Sequence, residues 1–169
     1  GSVPTTPYTI PWANSLFEDN AEFALGMHLS YQSKKELIKK IMEQEINNVS
    51  EEVKLLFEQY LNNPNDFKTT WDIKNKLSIL EIPPKLKSLL SYIPARTVLA
   101  IGGDGWAYDI GFGGLDHVLS TNENIKVLVF DTEVYSNTGG QASKSSKLGA
   151  VAEFADFGKK TAKKDLFRI

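Results

Sequence analysis

The sequence contains no cysteine and only two histidines. The absence of cysteine excludes a disulfide scaffold and any zinc or iron–sulfur site held by cysteine within these residues. No apolar run approaches the roughly 20 residues that a membrane-spanning helix needs, and no secretory signal is recognisable. The net charge of −2 gives no electrostatic argument for binding nucleic acid or a membrane. We therefore expect a globular, cytoplasmic protein with no nucleic acid and no membrane as partner.

The chain falls into segments of different character. Residues 1–2 resemble the remnant of an expression tag. Residues 3–14 carry three prolines and are predicted to form an extended arm, because proline fixes its own φ and disfavours helix just before it. Residues 15–169 are predicted to form a single domain fragment. Its helical part is expected at 15–93 and its α/β part at 97–169.

Cap signals and apolar periodicity predict several helices in the first part. Capping-box patterns at Ser15 and Ser33 predict two successive helices, and Ser50 before a glutamate pair predicts a third. A further helix is predicted at 67–80, with Trp71 and Leu77 as anchors. The apolar stripes of these helices are expected to form a core and its covering surface.

The pattern changes at residue 97, where continuous apolar runs replace amphipathic stripes. Runs at 97–101 and 127–130 predict strands that are buried on both faces, as is typical of a parallel sheet. A final helix is predicted at 150–159. The residues expected to face inward on it are Val151, Phe154 and Phe157. The sequence thus predicts an α/β fold with a parallel sheet flanked by helices, and two strands are few enough to indicate part of a larger structure.

Glycine and polar residues follow both predicted strands. Gly102-Gly103-Asp104-Gly105-Trp106 follows the first, and Thr132-Glu133-Val134-Tyr135-Ser136-Asn137 follows the second. In an open parallel sheet such turns emerge side by side at the carboxyl ends of the strands, where ligands bind. A helix expected from about Tyr108 would aim its amide dipoles at the same place.

The residue types at these turns suit a magnesium ion carrying a diphosphate. Asp104 supplies a carboxylate, and magnesium prefers oxygen ligands. Gly103 and Gly105 let backbone N–H groups approach phosphate oxygens closely. Further candidate ligands on the second turn are the Thr132 hydroxyl, the Val134 carbonyl and the Asn137 side-chain amide.

The spacing of the two turns narrows the choice of ligand. Residues 106–131 separate Gly105 from Thr132, which matches the separation in the thiamine diphosphate motif. No glycine-rich loop ends in Gly-Lys-Ser or Gly-Lys-Thr, so a P-loop is excluded. Tyr108 stands where a dinucleotide-binding fingerprint would need its third glycine.

Longer stretches resemble one family. Gly-Gly-Asp-Gly-Trp-Ala-Tyr-Asp-Ile-Gly at 102–111, Gly-Gly-Leu-Asp-His-Val-Leu at 113–119 and Asp-Thr-Glu-Val-Tyr-Ser-Asn-Thr-Gly-Gly-Gln at 131–141 resemble pyruvate:ferredoxin (flavodoxin) oxidoreductase. The NADP-reducing fusion forms of that enzyme carry a similar segment. Residues 12–23 and 158–166 are similar to the family as well, whereas the helical stretch between them is generic.

The resemblance implies a fold and a reaction. The fold would be a truncated thiamine diphosphate-binding module with a helical insertion. The full-length enzyme would oxidatively decarboxylate pyruvate to acetyl-coenzyme A and carbon dioxide. Electrons would pass through 4Fe–4S clusters in other domains to ferredoxin, flavodoxin or a fused NADP reductase domain. A homodimer is expected at full length, in the cytoplasm or in an anaerobic organelle such as a hydrogenosome.

The resemblance also implies roles for individual residues. Asp104, Thr132 and the carbonyl of Val134 would bind magnesium. Asn137 would act as the catalytic residue near the reacting carbon and the bound pyruvate. The residues expected to contact the cofactor are Gly103, Asp104, Gly105, Trp106, Thr132, Glu133, Val134, Tyr135, Ser136 and Asn137. The family's cysteine-bearing segment and the glutamate that activates the aminopyrimidine are absent here, so this segment alone is predicted to be inactive.

Two other functions stay open at this stage. A non-catalytic assembly domain would use the same turns only for packing. A nicotinamide-dependent dehydrogenase would use Asp131, at the end of the second strand, to hold a ribose, although a structural role is favoured for that residue. The role of Glu133 is undecided, and Trp106 either closes over the diphosphate or fills the core. The basic residues interpreted as a solvated face are Lys159, Lys160, Lys163 and Lys164.

Overall fold

The computed structural model describes residues 13–169, except for the side chain of Phe17. The predicted tag remnant, and the predicted arm apart from residues 13 and 14, lie outside the described residues. The elements in chain order are α1 (Asn20–Glu45), α2 (Glu51–Asn62), α3 (Phe67–Leu77), α4 (Pro84–Lys87), β1 (Val98–Gly103), a π-helical turn (Gly105–Ile110), α5 (Phe112–Ser120), β2 (Ile125–Phe130), β3 (Val134–Tyr135) and β4 (Gln141–Ala142). Short 3₁₀ turns cover Phe17–Asp19 and Leu90–Tyr92.

The chain divides into two compact units, each with its own buried apolar cluster. Of the described residues, 13–26 and Val98–Ile169 form the α/β unit, and Met27–Thr97 form the helical unit. The helical unit is therefore inserted, in sequence, between two segments of the α/β unit. Within the described range 13–169, no helix is both long and apolar enough to cross a membrane.

The helical unit is built from capped amphipathic helices. Ser50 caps α2, since its side chain accepts a hydrogen bond from the N–H of Val53. Asp66 caps α3 in the same way, through the N–H of Thr69 at 2.7 Å. The core residues of this unit are Ile38, Ile41, Met42, Val53, Leu56, Phe57, Tyr60, Ile73, Leu77, Ile82, Leu86 and Ile93. Of the two predicted anchors, Leu77 is fully buried, whereas the prediction is wrong for Trp71, which is 46% exposed and stacks on Phe67.

The two helices predicted from Ser15 and Ser33 are wrong in their boundaries, since one continuous helix, α1, runs from Asn20 to Glu45. No glycine or proline interrupts residues 27–45, so the capping-box pattern at Ser33 lies inside a helix that has no reason to stop. The hydroxyl of Ser15 instead donates to the side-chain oxygen of Asn20 at 3.3 Å. A capping box therefore predicts a helix start only where a breaker precedes it.

The sheet at the centre of the α/β unit confirms the predicted parallel pairing. β1 and β2 pair in register from Val98 opposite Ile125 to Gly103 opposite Phe130. This register brings both strand ends, and the turns that follow them, to the same edge of the sheet. The buried cluster of this unit consists of Ala21, Ala24, Ala100, Trp106, Ala107, Tyr108, Leu115 and Val118.

The prediction that both faces of the strands are buried is wrong for the described chain. Leu99, Leu128 and Phe130 are 50%, 43% and 57% exposed. The covering residues of α1 and α5 belong to the cluster that contains Ala100, on one face of the sheet. The other face keeps the apolar side chains that the sequence pattern detected, without a cover in the described residues.

The helix predicted at 150–159 is also wrong. Phe154 has a φ of 65° and is 90% exposed, and Phe157 is fully exposed. The backbone instead folds back on itself, because the N–H of Lys159 donates to the carbonyl of Ala150 at 2.9 Å. Gly149 and Gly158, with φ of 79° and 83°, permit this turn. Apolar residues three apart mimicked a helical stripe without forming one.

Two glycines near the start of α5 are expected to respond oppositely to alanine. A Cβ on Gly111 would lie 2.2 Å from a ring carbon of Trp106 and 2.8 Å from the carbonyl oxygen of Glu18, so Gly111→Ala should destabilise by about 1–3 kcal/mol. A Cβ on Gly113 would meet nothing within 4 Å. Gly113→Ala should therefore be neutral or stabilise by up to about 1 kcal/mol through helix propensity. Urea denaturation followed by circular dichroism measures both, and equal losses of stability would contradict the packing argument.

Candidate functional site

A cavity of about 520 Å³ opens at the carboxyl ends of β1 and β2. This is the position at which ligands bind in open parallel sheets. Its lining residues are Ala13, Asn14, Ser15, Asn20, Leu99, Ile101, Gly102, Gly103, Asp104, Gly105, Trp106, Phe130, Thr132, Tyr135, Ser136 and Asn137. The two turns singled out in the sequence therefore line one cavity, although the side chains of Glu133 and Val134 do not contribute to it.

Asp104 is the buried carboxylate of this site, at 2% exposure. Its Oδ1 accepts a hydrogen bond from the Thr132 hydroxyl at 2.9 Å. Its Oδ2 accepts from Ser143 at 2.8 Å and from Ser145 at 2.6 Å. Among the described residues no lysine, arginine or histidine forms an ion pair with it. A buried carboxylate surrounded only by neutral donors is suited to a bound cation, because an unpaired buried charge is unfavourable.

Three oxygen atoms converge beside Asp104. The Thr132 hydroxyl lies 2.9 Å from Asp104 Oδ1 and 3.0 Å from the carbonyl oxygen of Val134. Carboxylate, hydroxyl and carbonyl oxygens form the hard donor set that Mg²⁺ prefers. In the part of the chain that the structure describes, no three acidic, histidine or cysteine side chains cluster as a metal site. A cation held here would therefore use backbone and hydroxyl oxygens together with one carboxylate.

The loop after β2 adopts an unusual backbone conformation that positions these atoms. Glu133 has a φ of 64°, in the left-handed region that non-glycine residues seldom occupy. It stands between Thr132 and Val134, so the chain reverses locally and the Thr132 hydroxyl reaches the Val134 carbonyl. The Glu133 carboxylate itself pairs with Lys147 at 3.1 Å and with Lys163 at 3.5 Å. The sequence left the role of Glu133 undecided, and the structure shows that its carboxylate forms ion pairs with two lysines.

The glycine turn after β1 combines close packing with open space. A Cβ on Gly102 would lie 2.3 Å from the Trp106 ring, and a Cβ on Gly105 would lie 2.4 Å from the Tyr135 ring. A Cβ on Gly103 would meet nothing within 4 Å, so this glycine keeps part of the cavity free. The helical segment begins at Gly105 as a π-helical turn, not near Tyr108 as predicted, and α5 follows only at Phe112.

Aromatic residues close two sides of the site. Trp106 is 1% exposed and belongs to the buried cluster of the α/β unit, so of the two roles considered it fills the core. Tyr135 lies over Gly105 on the other side. Burial, with the nearby carboxylates of Asp109 and Asp104, raises the pKa of Tyr135 to about 12. Its phenol therefore stays protonated and neutral at physiological pH.

A second polar group ties the end of β2 to the C-terminal segment. Asp131 Oδ2 accepts hydrogen bonds from the Tyr108 hydroxyl at 2.9 Å and from Lys163 at 2.5 Å. Burial pushes the pKa of Asp131 upward, but these hydrogen bonds outweigh it and hold that pKa below its usual 3.8. The structural role predicted for Asp131 agrees with these contacts. The hydrogen bonds use one of the two carboxylate oxygens through which Asp131 would have to hold a ribose in a dehydrogenase.

The four basic residues near the C-terminus differ from the predicted solvated face. Lys159 donates to the carbonyl of Ser146 at 2.6 Å, and Lys163 pairs with Asp131. Lys164 lies over the ring of Phe112. These three are partly buried and bonded within the chain, so the prediction is wrong for them, whereas it holds for the exposed Lys160.

Replacing Lys163 with glutamine is expected to lower stability by up to about 1 kcal/mol at neutral pH. Asp131 has a folded pKa below 3.8, so its ion pair contributes stability above that pH and loses it as the pH falls through the folded pKa. The difference in melting temperature between wild type and Lys163→Gln should therefore shrink as the pH is lowered from 7 to about 2.5. A difference that stays constant with pH would show that the pair contributes nothing.

Two groups of site residues were missed in the sequence. Ser143, Ser145 and Ser146 are buried at the site, and the available signal was their clustering directly after the Gly139-Gly140 turn. The second group comprises Asn14, Ser15 and Asn20, which line the cavity. Asn20 donates to the carbonyl of Ile101 at 2.9 Å and so joins the start of α1 to the end of β1.

Comparison with known proteins identifies the family. The chain is 46% identical to the pyruvate-flavodoxin oxidoreductase of Trichormus variabilis and 47% identical to that of Klebsiella pneumoniae, each over 98% of this chain. It is 37% identical, over 99% of its length, to a pyruvate dehydrogenase [NADP(+)] of Cryptosporidium parvum. The chain spans 16% of the length of the first two relatives and 11% of the third. Residues 85–169 match the thiamine pyrophosphate enzyme, C-terminal TPP binding domain, so the chain belongs to the thiamine pyrophosphate enzyme family.

Proposed function

We propose that this chain supplies the magnesium and diphosphate side of a thiamine diphosphate site. The full-length enzyme would oxidatively decarboxylate pyruvate to acetyl-coenzyme A and carbon dioxide. The observation that carries this proposal is the convergence of oxygens from Asp104, Thr132 and Val134 beside a cavity at the strand ends. The similarity to pyruvate oxidoreductases over nearly the whole chain supports it.

The three converging oxygens would serve as the protein ligands of Mg²⁺. Asp104 Oδ1 would provide the charge, and the Thr132 hydroxyl and the Val134 carbonyl would complete this side of the coordination shell. Magnesium usually takes its remaining ligands from water and substrate phosphates. The hydrogen bonds from Thr132 would then be replaced by bonds to the ion.

The remaining cavity residues would bind and orient the cofactor. The open space at Gly103 would admit a diphosphate against the backbone. Tyr135 and Ser136 line the same cavity and would contact the cofactor beside Asn137. Trp106, Gly105 and Glu133 would support cofactor binding indirectly, because they determine the shape and the position of the two turns. Glu133 is therefore proposed to support the cofactor through its backbone and not through its carboxylate.

Asn137 is the residue proposed to act on the substrate. It is exposed and lines the cavity, where its amide would donate a hydrogen bond to an oxygen on which charge develops. Bound thiamine diphosphate would supply the carbon nucleophile and the electron sink for decarboxylation. The protein residues would fix the cofactor and polarise its surroundings.

The partners of the full-length enzyme belong to the same proposal. Coenzyme A would receive the acetyl group, and 4Fe–4S clusters in other domains would carry electrons to ferredoxin, flavodoxin or a fused NADP reductase domain. These clusters need ligands from elsewhere, since the 169 residues contain no cysteine. A homodimer in the cytoplasm or an anaerobic organelle is proposed, and light scattering with fluorescence imaging of the tagged protein would check both.

Calorimetric titration of the full-length protein with thiamine diphosphate tests the function. Binding is expected with Mg²⁺ present and should be lost when EDTA removes the ion. Binding that is unaffected by EDTA would contradict the metal assignment. Saturable binding of NADH with no binding of thiamine diphosphate would support the dehydrogenase, and absence of both would support a non-catalytic assembly domain.

A further inference from the structure

Residues 143–146 form a tight turn, called here the serine turn, that contacts the oxygen of Asp104 that Thr132 does not contact. Ser143 and Ser145 are 4% and 0% exposed, and both hydroxyls lie within hydrogen-bond distance of Asp104 Oδ2, at 2.8 and 2.6 Å. Thr132 approaches the other oxygen, Oδ1. The two oxygens of the Asp104 carboxylate therefore have different surroundings. Oδ2 contacts two buried serine hydroxyls, and Oδ1 contacts Thr132, which lines the cavity.

The serine turn is held rigidly by its own hydrogen bonds. The N–H of Ser143 donates to Ser146 Oγ at 2.9 Å, and the N–H of Ser146 donates to the Ser143 carbonyl at 3.1 Å. The Ser146 hydroxyl also donates to the carbonyl of Glu133, between Thr132 and Val134. Lys159 donates to the carbonyl of Ser146. The turn is thus joined to both loops that carry the proposed metal ligands, and it cannot shift without moving them.

We infer that Ser143 and Ser145 are positioning residues that hold Asp104 Oδ2 and leave Oδ1 alone to bind the cation, so that the site selects Mg²⁺ over Ca²⁺. This inference rests on the proposed function. Mg²⁺ requires near-ideal octahedral geometry and takes carboxylates through one oxygen, whereas Ca²⁺ accepts six to eight ligands and often binds both oxygens of a carboxylate. Occupying Oδ2 with two charge-assisted hydrogen bonds therefore disfavours the larger ion.

The hydroxyl hydrogens show why both serines must be replaced together. Ser143 Oγ and Ser145 Oγ lie 2.6 Å apart, in addition to their contacts with Asp104. There are thus three short oxygen–oxygen contacts, two to Asp104 Oδ2 and one between the serines, but only two hydroxyl hydrogens. At any moment one of the three contacts therefore has no hydrogen bond. After a single alanine substitution the remaining hydroxyl can still donate to Oδ2. The double variant Ser143→Ala/Ser145→Ala removes both donors and frees Oδ2.

Two control variants separate selectivity from general effects on folding. Ser146→Ala removes the bond to Glu133 and the acceptor of the Ser143 N–H, but it leaves both hydroxyl donors to Asp104, so it should weaken the site for Mg²⁺ and Ca²⁺ by the same factor. Ser120→Ala removes an exposed hydroxyl that donates to the carbonyl of His117 at 2.6 Å, away from the site. This variant should leave the midpoints for Mg²⁺ and Ca²⁺ unchanged.

The test measures retention of thiamine diphosphate by the full-length, metal-stripped enzyme in equilibrium dialysis. MgCl₂ or CaCl₂ is titrated at a fixed concentration of thiamine diphosphate, and the ratio of the Ca²⁺ midpoint to the Mg²⁺ midpoint is compared between variants. The double variant should lower this ratio roughly tenfold, or about 1.4 kcal/mol, because both charge-assisted hydrogen bonds to Oδ2 are lost and the freed oxygen becomes available to Ca²⁺. Each single variant should lower it by a smaller factor.

Each outcome decides the inference. An unchanged ratio in the double variant, or a parallel rise of both midpoints, would overturn it and leave the proposed function intact. If the double variant does not fold, the single variants replace it, and an unchanged ratio in both would overturn the inference. Retention that requires no cation in the wild type would overturn the proposed function, and the inference with it.

Discussion

Replacing Asp104 with alanine in the full-length protein is expected to weaken Mg²⁺-dependent binding of thiamine diphosphate by about a hundredfold or more, or roughly 3 kcal/mol. Asp104 is the one carboxylate among the three converging oxygens of the described residues, so its loss removes the formal negative charge of that group. The neutral Thr132 hydroxyl and Val134 carbonyl cannot replace that charge. Calorimetric titration at saturating Mg²⁺ measures the loss.

The variant Asp104→Asn separates charge from packing. An amide keeps the shape of the side chain and can still accept a hydrogen bond from Ser143 or Ser145, so the fold should be less disturbed than by alanine. Binding should nevertheless fall by a similar factor, because the charge is absent in both variants. Full binding by Asp104→Asn would assign the carboxylate a structural role only and would contradict its proposed role as a magnesium ligand.

Replacing Trp106 with alanine is expected to destabilise the α/β unit by about 3–5 kcal/mol, the usual range for a fully buried tryptophan. The ring is 1% exposed and lies so close to Gly102 and Gly111 that a Cβ on either would fall 2.3 or 2.2 Å from it. The two glycines and the Trp106 ring are therefore packed together next to the glycine turn that follows β1. Urea denaturation followed by circular dichroism measures the loss.

Two further variants complete this test. Trp71 is 46% exposed, and Trp71→Ala should change stability by less than about 1 kcal/mol. Trp106→Phe should cost less than alanine, because it keeps a ring and removes the indole N–H, which has no hydrogen-bond partner among the described residues. Equal losses for Trp106→Ala and Trp71→Ala would contradict the assignment of Trp106 to the core.

The parts of the fold that the sequence predicted are those with a strong local signal. β1 and β2 were predicted because each is a continuous apolar run that ends at a turn, and their parallel pairing followed from that pattern. α2 was predicted because Ser50 marks its start. The predicted helix start at Ser33 failed because the same Ser-x-x-Glu pattern occurs inside α1. The predicted helix at 150–159 failed because left-handed residues such as Phe154 leave no sequence signal unless they are glycine.

The site was predictable only in part, for a related reason. Asp104 and Thr132 were predicted because each lies in the turn that follows a predicted strand. Their contact follows from the pairing of those two strands. Ser143 and Ser145 follow only the two-residue strand β4, which the sequence did not predict, and they reach Asp104 across 39 and 41 residues of chain. The tertiary course of the loop after β4 determines that contact, and no periodicity encodes it. Nothing in the sequence predicted the left-handed backbone conformation of Glu133 either.

The half-covered sheet has a consequence for the behaviour of this chain in solution. Among the described strands β1 and β2 pair only with each other, so each has one edge without a partner strand beside the exposed Leu99, Leu128 and Phe130. Open strand edges next to apolar side chains are templates for edge-to-edge aggregation. The chain produced by itself should therefore self-associate as its concentration rises, which static light scattering would detect. Solubility, and not only catalysis, would then depend on the polypeptide that covers this face.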